Sequence, residues 1–192
     1  MGTHQSRRRL LIDLAVAFGL VTLIVAARLI PHLPNFTPVS AVALFSAYYF
    51  RNRQWAASIP LVGMIVADFF LPQYAWQQRL VVYGSFFVCY LVGLVLRKKY
   101  TLGRTIGASL AASLVFFLIT NCVFLYQGAG PVMYPHTIAG QIQSYTNALP
   151  FLKWTLLGDM AYSLVIFAAY QYACVLAINK NKRKVALNES AN

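Results

Sequence analysis

The sequence holds only four carboxylate side chains, and three of them, Asp13, Asp68 and Asp159, stand inside apolar runs. Asp68 lies four residues before Pro72, and Asp159 lies six after Lys153. Asn121 sits near the end of another apolar run, ahead of Gly128-Ala129-Gly130-Pro131. A polar group left unpaired among apolar neighbours costs roughly 2 kcal/mol or more. Each of these side chains must therefore meet a polar partner, backbone, water or a ligand. A carboxylate so placed can hold a cation or a ring N–H, or it can transfer a proton. Asp68, Asp159 and His136 are the residues that could do acid/base work, but no nucleophile with an adjacent base accompanies them, so no catalytic residue is expected. Asp13 follows Arg9 by four residues, the spacing of an ion pair on a helix surface.

Aromatic and amide side chains gather near the same run ends. His32, Asn35 and Phe36 follow the first run, Tyr74 and Trp76 the third, and Tyr134, His136 and Tyr145 stand between the last two. An aromatic belt at a membrane surface accounts for Tyr74 and Trp76. It does not account for Gln127, Gln141, Gln143 and Asn147 in the same layer. Neutral hydrogen-bonding groups among aromatic faces suit a flat, neutral small molecule held by apolar walls and a few orienting polar groups. The candidate substrate-binding residues are therefore Asn35, Asp68, Asn121, Tyr145 and Asp159, joined by His136 and Gln141. The alternative is that Asp68 and Asp159 only neutralise Arg28, Arg79 or Lys153 within a packing network. Phosphorylated ligands are disfavoured, because Arg28, Arg79 and Lys153 fall in three separate segments and offer no cluster of charge-assisted donors. A neutral or cationic, flat, vitamin-like molecule fits better. The three cysteines, Cys89, Cys122 and Cys174, form no metal-like pattern. Neither a metal nor a cofactor is expected.

The elements that position these residues follow from composition. Of 192 residues, 59% are hydrophobic and 10% charged, against roughly 25% charged in a soluble domain. Six apolar runs span about 10–30, 37–50, 54–71, 80–96, 105–126 and 153–178. They predict an all-α membrane protein, a single domain over 1–192 built as a six-transmembrane-helix bundle, with a neutral, partly helical cap over about 127–152 on its outer ends. Thirteen of the 16 basic residues fall on one side of this arrangement, and only Arg28, Arg79 and Lys153 on the other. The positive-inside rule then places both termini in the cytoplasm. The net charge of +12 reflects these flanks and headgroup contacts rather than a nucleic-acid partner. The basic start and Val25-Ala26-Ala27 resemble a secretory signal. The run is long for one, however, carries Asp13 and continues into further membrane-embedded sequence.

On the first run Ala15, Gly19, Thr22 and Ala26 make a stripe of small side chains. Such a stripe lets helices approach closely in lipid. It serves either packing inside this bundle or docking of another membrane subunit. Phosphate loops, HExxH and GxSxG are all missing, so active transport would need a partner to supply energy.

The stretch Pro34-Asn35-Phe36-Thr37-Pro38-Val39-Ser40-Ala41-Val42-Ala43-Leu44-Phe45, the helix end at Asp68, Thr120-Asn121, and Ala148-Leu149-Pro150-Phe151 leading to Gly158-Asp159 carry a resemblance. Together they resemble the domain of unknown function 6580, a group of bacterial six-span proteins described as transport proteins similar to the substrate-binding S components of energy-coupling factor (ECF) vitamin transporters. The resemblance covers most of residues 10–178. It implies an S-component-like fold in the bacterial inner (cytoplasmic) membrane, with a ligand pocket near the outer face. It also implies partnership with an ECF-type transmembrane coupling subunit and ATPases through a first-helix face that Ala15 with Gly19 approximates. No substrate is inherited. Three function classes follow: a solute-binding transport subunit first, then a ligand-free structural or assembly protein, then a small intramembrane enzyme.

Overall fold

A computed structural model describes residues 2–31, 33–72, 75–126 and 134–189. Expectations for His32, Tyr74, Gln127 and the first part of the cap, 127–133, fall outside the described residues. Among the described residues the chain forms six α-helices: α1 (Gly2–Leu29), α2 (Val39–Tyr49), α3 (Arg53–Asp68), α4 (Trp76–Gly93), α5 (Leu102–Thr120) and α6 (Ile138–Glu189). Two short 3-10 turns, Leu94–Arg97 and Val123–Tyr126, follow α4 and α5. Among the described residues four helices are long and apolar enough to cross a membrane: α1, α4 with its 3-10 extension, α5 and α6.

The helix expected as the second span has another role. α2 is 11 residues long, about 16 Å at 1.5 Å per residue, roughly half a bilayer core. Nine of those residues, Val39 through Ala47, are buried. α2 packs against all five other α-helices, which is the position of a helix apolar on every side. It is the core of the bundle. α4 crosses it with backbone against backbone: a Cβ built on Gly93 would stand 2.8 Å from the Leu44 Cα and from the Ala47 Cβ, so only glycine fits.

Helix ends are set by local chemistry. The Asn52 side chain accepts hydrogen bonds from the backbone N–H groups of Gln54 (2.9 Å) and Trp55 (3.1 Å), capping α3. The Thr101 hydroxyl accepts from Arg104 N–H at 3.2 Å and starts α5. At the C-terminal end of α2, the Arg97 guanidinium donates to the carbonyls of Ala47 and Phe50.

Two expectations about packing change. The sixth helix begins at Ile138 and runs unbroken through Pro150, so the cap beyond residue 137 is the first part of α6 rather than a separate layer. Pro150 deprives only the Thr146 carbonyl of its amide donor, a defect that apolar helices tolerate. On α1 it is Leu20 and Ile24 that are buried against the bundle. Ala15, Gly19, Thr22 and Ala26 are all exposed, and nothing lies within 4 Å of where a Gly19 Cβ would stand. Among the described residues the stripe therefore takes no part in packing.

Asp13 also differs from expectation. Its Oδ1 accepts a hydrogen bond from the Tyr49 hydroxyl of α2 at 3.0 Å, and among the described residues it forms no ion pair with Arg9. The tyrosine reaches across from the helix that α1 flanks, whereas Arg9 is exposed.

Candidate functional site

The turn between α1 and α2 starts the site. Asn35 adopts φ 62°, a left-handed conformation that asparagine tolerates better than other residues with a Cβ. Phe36 N–H bonds the Leu33 carbonyl (3.0 Å) and Thr37 N–H the Asn35 carbonyl (3.1 Å), closing the turn. α6 approaches this turn closely, since a Cβ on Gly158 would lie 3.1 Å from the Phe36 Cα. That approach brings the next residue, Asp159, beside the first turn of α2.

A cavity of about 440 Å³ lies here, and all six helices or their adjoining turns contribute to it. Its polar wall is Arg28, Asn35, Thr37, Ser40, Thr155 and Asp159. Its apolar wall includes Met64, Val82, Phe86 and Phe116, the two phenylalanines stacked with centroids 4.9 Å apart.

Asp159 is 2% exposed. Its Oδ2 accepts from the Ser113 hydroxyl of α5 at 2.7 Å, and the Ser40 hydroxyl is a second hydrogen-bonding partner. Among the described residues it forms no ion pair. Asp68 is placed differently. Arg28 Nη2 stands 2.8 Å from its Oδ1, and the Tyr83 hydroxyl donates to its Oδ2 at 2.6 Å. Asp68 thus has a partner within the chain at each carboxylate oxygen, and it does not line the cavity. It holds Arg28, which does. Of the two carboxylates, one is balanced by a cation and the other is not.

The structure brings Asn35 and Asp159 together, with Asp68 behind Arg28. Asn121, Gln141, Tyr145 and His136 do not line the cavity, contrary to expectation, and the first three are used elsewhere. Asn121 Nδ2 donates to the Phe117 carbonyl (2.9 Å), closing α5. Gln141 Nε2 donates to the Asn121 carbonyl (3.0 Å), while its Oε1 accepts from Val123 N–H (3.0 Å). The Tyr145 hydroxyl donates to the Leu118 carbonyl (2.9 Å). A helix C-terminus leaves its last carbonyls without intrahelical donors. These side chains satisfy that need at the end of α5 and so pin α6 to it. His136 is half-buried, with no hydrogen-bond partner for Nε2 among the described residues.

Sequence reasoning missed Thr37, Ser40, Thr155, Ser113 and the aromatic pair Phe86–Phe116, and it named Arg28 as a possible counter-ion of Asp68 or Asp159, the pairing found with Asp68, but not as part of a cavity wall. Thr155 precedes Asp159 by one helical turn, and Ser40 follows Thr37 by three residues, so helical spacing could have found both. Nothing in the spacing singles out Ser113, which meets Asp159 across 46 residues.

No curated protein and no solved structure matches the chain. A family model, that of a family of unknown function (DUF6580), matches residues 8–183. The chain belongs to that family.

Proposed function

We propose that this member of DUF6580 is a membrane-embedded substrate-binding subunit for uptake of a small vitamin-like or nucleobase-like solute, energised by a partner. The observation that carries the reading is Asp159, a buried carboxylate on a cavity wall with hydroxyl partners and, among the described residues, no cation. A buried charge without a counter-charge is costly, and ionisable groups inside apolar helices default to functional roles. A ligand that presents an N–H or amine to Asp159 supplies the missing partner. Its flat face lies against Phe86 and Phe116, and its acceptors meet Arg28 and the amide of Asn35. A cavity of about 440 Å³ falls within the usual range for small-molecule sites, roughly 300–1,000 Å³.

In this reading the chain sits in the bacterial inner membrane with both termini inside, in the manner of ECF S components. The exposed stripe Ala15, Gly19, Thr22 and Ala26 is the face offered to a transmembrane coupling subunit, which its ATPases drive. Small residues open to the bilayer favour close helix approach, and the lack of any internal use for them supports that assignment. A thermal-shift screen of the detergent-purified protein against vitamins and nucleobases tests the proposal. At least one flat compound with ring N–H groups should raise the melting temperature in a saturable manner. A screen in which none does so, with turnover of none either, leaves the structural-protein reading.

A further inference from the structure

The opposite end of α2 faces two cavities that the solute reading leaves unused. One, of about 420 Å³, is lined by Arg8, Arg9, Ile12 and Asp13 of α1, Tyr49 of α2 and Tyr170 of α6. The other, of about 390 Å³, lies between Arg9, Leu10 and Asp13 on one side and Phe50, Arg51, Asn52 and Trp55 on the other. Arg9 and Asp13, one helical turn apart, belong to both.

Three guanidinium groups and one carboxylate line these cavities, leaving two net positive charges. Asp13 is tethered to α2 through the Tyr49 hydroxyl. Arg8, Arg9 and Arg51 are exposed, and among the described residues none of them forms an ion pair. Arg97, near the same end, is different: the Ala47 and Phe50 carbonyls occupy its guanidinium. Beside the arginines Leu10 and Leu14 of α1 are exposed, as is Trp55, whose indole is the side chain favoured at the boundary between headgroups and acyl chains.

We propose that the paired cavities bind the headgroup of an anionic glycerophospholipid carrying two phosphodiesters, one phosphate in each cavity and Arg9 between them. Guanidinium forks match phosphate oxygens in paired hydrogen bonds, and basic pockets between helices at the cytoplasmic surface suit anionic headgroups. Two phosphate charges balance the two net positive charges, where a single phosphate leaves one unmatched. The acyl chains run along Leu10 and Leu14, a surface from which a soluble polyphosphate gains nothing. The inference rests on the membrane-embedded part of the functional reading and is independent of the solute.

Native mass spectrometry of the detergent-purified protein, offered equal amounts of diphosphatidylglycerol, phosphatidylglycerol and phosphatidylcholine, tests it. Wild type should retain the two-phosphate lipid in preference to the other two, and millimolar inorganic pyrophosphate should not displace it. Each arginine removed should weaken retention about fivefold, and the triple change Arg8→Gln, Arg9→Gln, Arg51→Gln on the order of 100-fold. A matched loss of charge at Lys98→Gln, Lys99→Gln and Arg104→Gln should leave retention close to wild type. Equal losses in the two triple variants would mean that bulk charge does the binding, and equal retention of the one- and two-phosphate lipids by wild type would remove the paired site. The wild-type ranking stands even where a variant fails to fold. Asp159→Asn should leave lipid retention unchanged, which separates this outcome from failure of the solute site.

Discussion

At its N-terminal end α2 meets a polar cavity walled by Thr37, Ser40 and Asp159; at its C-terminal end the same helix is closed by packed aromatic rings. Phe45 stands edge-on to Phe167 with centroids 5.2 Å apart. Tyr49 meets Tyr170 at 5.4 Å, and Tyr48 meets Tyr100 at 5.6 Å. The polar groups among these rings have internal partners: Arg97 takes two backbone carbonyls, and the Tyr90 hydroxyl donates to the Arg53 carbonyl at 3.1 Å, while Arg8, Arg9 and Arg51 stand exposed outside them. At the open end Asp159 has no cation beside it among the described residues. One buried helix thus carries an end whose interior is filled by rings, with its free charges outside on the surface, and an end that keeps a buried charge for something else to meet. Departures from full internal satisfaction of this kind mark functional sites.

This contrast can be broken at several points. The largest effect should come from Arg28→Met, which takes the guanidinium away from the Asp68 carboxylate. Removing one partner of a buried pair costs about 3–5 kcal/mol, so the detergent melting temperature should fall sharply. Adding Asp68→Asn should restore most of the loss, and a double variant no more stable than the single would show that Arg28 matters for something other than that carboxylate.

At the closed end, Gly93→Ala forces a methyl group into the Leu44 and Ala47 backbone contact. Overpacking of this kind costs roughly 1–3 kcal/mol, read as a lower melting temperature with ligand affinity unchanged once the protein is folded. A loss of affinity without loss of stability would erase the division between the two ends.

The turn that carries Asn35 sharpens the comparison. Asn35→Ala must hold a left-handed conformation, at a cost of about 1–2 kcal/mol, while Asn35→Gly keeps the turn and removes only the amide. The glycine variant should melt near wild type yet bind ligand more weakly. Equal melting of both variants would show that the positive φ is unimportant.

Topology gives the smallest perturbation. With the native cysteines replaced, single cysteines at Asn52 and Gln143, both exposed, should label from opposite faces of the membrane. Labelling of both from the same face would contradict the arrangement in which the open end faces outward.

Much of the helix inventory was legible in the sequence, because six apolar runs separated by charge and Pro/Gly breaks leave few alternatives. The role of α2 was not. A short apolar run reads alike whether lipid or other helices surround it, and only the packing of all five neighbours distinguishes a core helix from a span. Pro150 misled in the same way, since a proline that ends a helix in water can sit inside one among apolar neighbours. At the site, Asn35 and Asp159 stood out because their types conflict with their surroundings. Gln141 and Tyr145 stood out for the same reason, yet they serve the exposed carbonyls at the end of α5, a demand invisible until the helix end is located. Ser113 is unremarkable in sequence and acquires meaning only where α5 and α6 meet.

The account turns on Asp159, and titration of the first ligand found by screening into wild type and Asp159→Asn tests it most directly. Truncating a buried charge-assisted hydrogen bond costs about 1.5–3 kcal/mol, or about 10- to 150-fold in Kd. The variant should show that loss while melting at or above the wild-type temperature without ligand, because it removes a buried charge that has no counter-ion among the described residues. Equal Kd values for the two proteins would contradict the account and leave Asp159 a structural residue.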